Sequence, residues 1–143
     1  MIFKKFPFPP TVNSIYPSAR NGRRFKSAKY VEYMNECRIW QLKNNSLLLE
    51  ARSILGDLVK DPNVFLKLDI DLMLSHSDLY TKKGTNKKID CTNRIKPLLD
   101  VLSGMIRIDD SRFFLGKVEF VISKQKGVCI AFDSANIRKV LEN

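Results

Sequence analysis

The chain has 143 residues and a formal net charge of +10, from 25 Lys and Arg against 15 Asp and Glu. A hydrophobic content of 44% over this length supports one core and excludes wholesale disorder, so residues 1–143 are expected to form a single domain. No stretch approaches the roughly 20 apolar residues of a membrane span, and a surplus of cations that large favours a polyanionic partner, nucleic acid first.

In chain order, Ile2 to Phe8 has the pattern of a first strand, closed by Pro9-Pro10 because proline cannot donate to a ladder. Thr11 to Lys26 is rich in Asn, Ser, Arg, Gly and Pro and is expected to be a long basic loop. Ser27 is a candidate N-cap for a helix through Tyr30, Val31, Met34 and Trp40. Asn44-Asn45-Ser46 would break it, and Leu47, Leu48, Ala51, Ile54 and Leu55 would carry an apolar face on to a stop at Gly56. From Val64 to Leu74 alternation is strict, with five aliphatic side chains on one face and Lys67, Asp69, Asp71 and Met73 on the other, which predicts a strand with one buried face. Ser75 to Lys88 is again polar and basic.

A second helix follows, with Ile95, Leu98, Leu99 and Leu102 forming a core stripe and Pro97 tolerated close to its start. Phe113 to Ser123 and Val128 to Phe132, joined through KQKG, have the pattern of a terminal hairpin. The order is β-α-β-α-β-β, an α+β domain. Phe6, Phe8, Trp40, Phe113 and Phe114 are expected in the core rather than as platforms for bases.

The cysteines Cys37, Cys91 and Cys129 are widely spaced and form no CxxC pair, and His76 is the only histidine, so neither structural zinc nor a disulfide framework is expected. The segment IFKKFPFPP is too poor in continuous apolar residues for a signal peptide, and the expected location is the cytoplasm.

Cations cluster at Arg20, Arg23, Arg24 and Lys26, and again at Lys82, Lys83, Lys87 and Lys88, with Arg94 just beyond. These are the candidate contacts to DNA phosphates. Against them stand Asp90, immediately before the second helix, and Asp109-Asp110, just after it. Clustered carboxylates repel a polyanion unless a cation lies between them, and hard oxygen donors suit Mg²⁺. Lys96, on the polar side of the helix, is placed to offset charge on a phosphate. From the spacing, helix capping and metal binding account for these acids equally well.

The string Asp90-x-x-Asn93-x-x-Lys96-x-x-x-Asp100 followed by Asp109-Asp110 resembles the signature of the RusA family of Holliday junction resolvases. The segments FPFPPTVNSIY and GRRFKSAKYVEY are similar to that family in the same order, so the resemblance spans nearly the whole chain. It implies a mixed sheet with helices packed on it and a homodimer. It also implies paired symmetric nicking of branched DNA in recombination and repair, with Mg²⁺ or Mn²⁺ as cofactor. By the same resemblance, Asp90 and Asp110 are metal-binding catalytic carboxylates, Asp109 stands beside them, and Lys96 is the catalytic lysine.

Thr92 departs from the family pattern, whose fullest form carries a second Asp there; threonine offers a weaker Mg²⁺ ligand but a good N-cap. Asp71, on the polar face of its strand, is a candidate to compensate, and Asn93 and Asp100 are candidates to support the site, Asp100 by pairing with Lys96 one turn away. Two rivals remain: a junction-binding protein without catalysis, and a general basic nucleic-acid-binding protein whose acids are caps.

Overall fold

The structure of the chain is a computed structural model that describes residues 1–11, 27–87 and 92–136. The elements are β1 (Ile2–Phe6), α1 (Ala28–Lys43), α2 (Asn45–Leu58), β2 (Val64–Leu74), α3 (His76–Leu79), α4 (Thr92–Ile106), a 3₁₀ turn (Asp110–Arg112), β3 (Phe113–Ile122) and β4 (Gly127–Asn136). The α+β class therefore holds, with helices against one four-stranded mixed sheet.

The sheet order is β1-β4-β2-β3. β1 and β2 each run antiparallel to β4, and β3 runs parallel to β2. This corrects the expected terminal hairpin: β3 and β4 do not pair, because β2 lies between them. The connection from Ser123 to Lys126 crosses the end of β2, where the amide of Ser123 donates to Leu74 O at 2.8 Å. Two strand spacings are about 10 Å, within reach of four residues. A parallel β3 is what a crossover through a helix requires, and α4 is that crossover.

β2 is the central strand and its alternation is realised in full. Leu66, Leu68, Ile70, Leu72 and Leu74 are buried against the helices, while Lys67, Asp69, Asp71 and Met73 face the opposite side. Onto the buried face pack Tyr33, Cys37 and Trp40 from α1, Leu48, Ala51 and Leu55 from α2, and Ile95, Leu98, Leu102, Met105 and Ile106 from α4. Burial of each large aliphatic chain contributes about 1.5–3 kcal/mol, which is why the patterned residues decide the fold.

β1 ends two residues earlier than expected, at Phe6, since Pro7 has no amide to donate. Phe3 and Phe6 are both fully buried although three apart, because Lys5 takes φ +54° and a register shift resets the pleat between them. Trp40 closes this corner, its ring about 5 Å from both phenylalanines and its Nε1–H donating to Lys4 O at 2.9 Å.

Ser27 caps α1 as expected, its Oγ accepting from the Tyr30 amide at 3.2 Å, and Asn44 ends it. Gly56 does not end α2, which runs on to Leu58. A glycine inside a helix costs about 1 kcal/mol relative to alanine, and the burial of Leu48, Ala51 and Leu55 outweighs it. Within the expected loop, Ser75 and Asp78 form a capping box that starts the single turn α3. β4 extends to Asn136, beyond the expected Phe132, because the ladder with β2 continues to Val64. Phe114 is not a core residue: it is 56% exposed.

Candidate active site

α4 is held to the sheet by its apolar stripe, which turns Lys96 and Asp100 outward. Lys96 Nζ donates to Asp100 Oδ1 at 3.0 Å, an i,i+4 pair with both side chains more than half exposed. This hydrogen bond, with the charge of Asp100 and then that of Asp110, raises the Lys96 pKa above the ordinary lysine value. Asp110 is therefore close enough for its field to act on Lys96. The pair sits on the rim of a cleft of about 520 Å³ between α4 and α1, walled on the far side by Tyr30, Met34, Cys37, Arg38 and Gln41.

The acidic turn after α4 is built by several separate contacts. Arg107 takes φ +59°, the left-handed residue that stops the helix. Ser103 Oγ donates to Ile108 O at 2.6 Å and Arg52 Nε to Met105 O at 2.7 Å, which tie the helix end down. Asp109 then caps the 3₁₀ turn, its Oδ1 accepting from the Ser111 amide at 2.9 Å; those bonds to Ser111 hold its carboxyl below the usual range.

Arg112 pins the other end of the turn. Its guanidinium donates to the carbonyls of Asp61 (2.9 Å) and Val64 and lies over the Phe65 ring, 5.3 Å from its centroid. Asp110 is thus carried on a turn fixed at both ends. Its side chain is exposed, and its carboxylate makes no hydrogen bond or ion pair among the described residues, while its carbonyl accepts from the Phe113 amide.

Arg112 and Arg52 went unnoticed in the sequence. Their acceptors are backbone carbonyls 48 to 53 residues away, so no local pattern marks them.

Asp90, Lys88, Arg20, Arg23, Arg24 and Lys26 lie outside the described residues. α4 begins at Thr92, whose side chain lies outside those described, and Asn93 is half-buried in its first turn. Lys82, Lys83 and Lys87 are exposed on a tight turn closed by the Tyr80–Asn86 bridge and a Gly84 at φ +80°. Arg94 is turned inward: it donates to Pro9 O at 2.8 Å, and its guanidinium lies 5.1 Å from the centroid of the Phe8 ring, which Lys126 also approaches at 4.9 Å.

Asp71 is not brought to Lys96 and Asp110. It lies on the face of β2 opposite the helices, beside Glu119 of β3 and Cys129 of β4. Five residues of strand, about 16 Å, also separate it from Leu66, where β3 begins to pair.

The donor set suits a hard cation in kind, since every acid here is a carboxylate. Among the described residues, no three potential ligands come together closely enough to hold a metal ion. Nor, among them, is any helix long and apolar enough to cross a membrane.

A family model described as Endodeoxyribonuclease RusA matches residues 7–133 of the 143. Curated proteins yield no match to the chain.

Proposed function

Since the chain belongs to the RusA family of endodeoxyribonucleases, we propose that it resolves Holliday junctions by paired symmetric nicks, as a cytoplasmic homodimer acting in DNA recombination and repair. The observation that carries this reading is the row formed by Lys96, Asp100 and the field of Asp110 on the rim of the cleft. A fixed ammonium beside exposed carboxylates, on a chain of charge +10, is what cleavage of a bound polyanion needs.

In this reading Lys96 works as a cation and not as a base. Its raised pKa keeps it protonated at neutral pH, so it offsets charge developing on the phosphate without giving up a proton. Asp100 fixes the direction of the ammonium. Asp90 and Asp110, with Asp109 beside them, are the residues that would hold Mg²⁺ or Mn²⁺. When bound, such an ion polarises a phosphoryl oxygen and lowers the pKa of water. Lys82, Lys83 and Lys87, with Lys88 and the cluster at Arg20, Arg23, Arg24 and Lys26, would contact phosphates and set affinity without reading sequence, while Arg94 is engaged by Pro9 O instead. A four-way junction has approximate two-fold symmetry, and two coordinated cuts need two equivalent sites, which is the physical case for a dimer.

The test is cleavage of a labelled four-way junction, with and without Mg²⁺, against a linear duplex of equal length. Metal-dependent symmetric nicks in the junction alone are expected. One observation favours a second reading: Thr92 stands where the fullest family motif carries a carboxylate. Junction binding that persists with no cleavage under any divalent cation would select a binding protein without catalysis.

A further inference from the structure

β3 lies at the edge of the sheet, paired on one side with β2. An open edge of ten residues invites another strand, and proteins ordinarily blunt it with charge or proline. Here the only charges are Lys117 and Glu119, and four large apolar residues are exposed: Phe114 (56%), Leu115 (40%), Phe120 (36%) and Ile122 (57%).

We propose that this edge pairs antiparallel with β3 of a second copy of the chain, about a two-fold axis at Val118, joining two sheets into one. The inference rests on, and deepens, the homodimer reading above by naming its surface. The register with β2 gives the faces. Phe113, Leu115, Val118, Phe120 and Ile122 stand opposite Leu66, Leu68, Ile70, Leu72 and Leu74, on the helix side; Phe114, Glu119 and Val121 stand opposite Lys67, Asp71 and Met73, on the other.

Between Leu115 and Val118 the register slips by one, so that Gly116 and Lys117 together oppose Asp69. Asp69 Oδ1 accepts from the Lys117 amide at 2.8 Å and holds this bulge. A Cβ on Gly116 would overlap that oxygen and stand 2.6 Å from Lys67 Cε, so the bulge requires glycine.

With the axis at Val118, Lys117 of each copy faces Glu119 of the other. Once the partner strand takes up the bulge, every further pair is apolar: Leu115 faces Phe120, Phe114 faces Val121, and Phe113 faces Ile122. An axis at Lys117 or Glu119 would instead set like charges directly opposite each other, which is destabilising. One cation and one anion flanking a central valine match themselves under two-fold rotation. That self-complementarity selects a second copy over an unrelated strand.

The experiment is sedimentation equilibrium of the full chain and its charge variants, with thermal melts alongside. A species of twice the 16.5 kDa chain mass is expected at micromolar concentration. Lys117→Glu and Glu119→Lys should each weaken the dimer by about tenfold or more, and the double exchange should restore it to within a few-fold. Glu119→Lys also replaces a carboxylate beside Asp71, so melts run dilute enough to dissociate both proteins should show no loss of stability in the monomer. A chain that stays monomeric, single exchanges without effect, or a double exchange that fails to restore association would each overturn the proposal. Junction cleavage on the same samples keeps the two readings apart. A dimer that never cleaves sinks the nuclease and leaves this interface, whereas a monomer that cleaves does the reverse.

Discussion

The ammonium of Lys96 lies 3.0 Å from Oδ1 of Asp100, one turn further along α4, on a helix face that the core stripe keeps turned to solvent. The carboxylate both aims the cation and raises its pKa. A lysine with a raised pKa carries its full charge below the ordinary value near ~10.4 and loses it only as pH climbs past the elevated one. Cleavage should therefore show no alkaline limb from Lys96 at or below pH ~9. Lys96→Ala should lower the rate on the order of 100-fold with junction affinity little changed, and Asp100→Asn should lower it less. In the double variant the loss should match that of Lys96→Ala, because Asp100 acts through the lysine. An alkaline limb near pH 8 that disappears in Lys96→Arg would show that the lysine titrates during turnover, against this role.

Asp110 rides on a turn pinned by Asp109 at one end and Arg112 at the other, so its carboxylate is removable without loss of the fold. Asp90→Asn and Asp110→Asn should each abolish cleavage while junction binding in Mg²⁺-free gel shifts persists or tightens, since a charge repelling phosphate has gone. Asp71→Asn should leave cleavage unchanged, because Asp71 projects from the far face of β2. Binding lost together with cleavage in folded Asp110→Asn protein would remove its catalytic assignment.

Strict alternation made β2 legible from Val64 to Leu74, because a half-buried strand leaves a period-two record in its own residues. The cap at Ser27 and the break at Asn44 were equally local and equally legible. What failed was long-range. Phe113 to Ser123 and Val128 to Phe132 look like a hairpin because adjacent strands usually pair, and nothing near KQKG says that a strand fifty residues earlier lies between them. The site divides in the same way. Lys96 and Asp100 share a helix face that spacing predicts, whereas the anchoring of Asp110 by Arg112 depends on carbonyls at the start of β2 that only the fold brings near.

Arg94 stitches the start of α4 to the segment after β1, through Pro9 O and the face of Phe8. Arg94→Ala should cost about 1–2 kcal/mol, from one charged hydrogen bond and one cation–π contact. Arg94→Lys should recover part of this, since lysine keeps the charge but loses the planar fork. Urea unfolding measures both variants. Stability unchanged alongside a shallower salt dependence of junction binding would instead make Arg94 a phosphate contact.

Cys37 is buried on α1, where desolvation pushes its thiol up to about 12 against the opposing influence of the nearby Tyr33 hydroxyl, and the charge of Glu36 adds to the rise. The folded chain therefore keeps a proton that the unfolded chain releases from about pH 8.5 upward. Stability should be full below that pH and fall as pH rises toward 12, by at most about 1.4 kcal/mol per pH unit from this one group. Denaturant melts at pH 8 and pH 10 should show the decline, and in Cys37→Ala the decline should be shallower. Reactivity gives a second measure of the same burial. At pH 8 an alkylating reagent should label Cys129, which is half-exposed, and reach Cys37 only on unfolding, because the thiolate is the nucleophile and burial suppresses it. Peptide mapping that finds Cys37 alkylated in folded protein as fast as Cys129 would mean that the floor of the α1–α4 cleft opens to solvent.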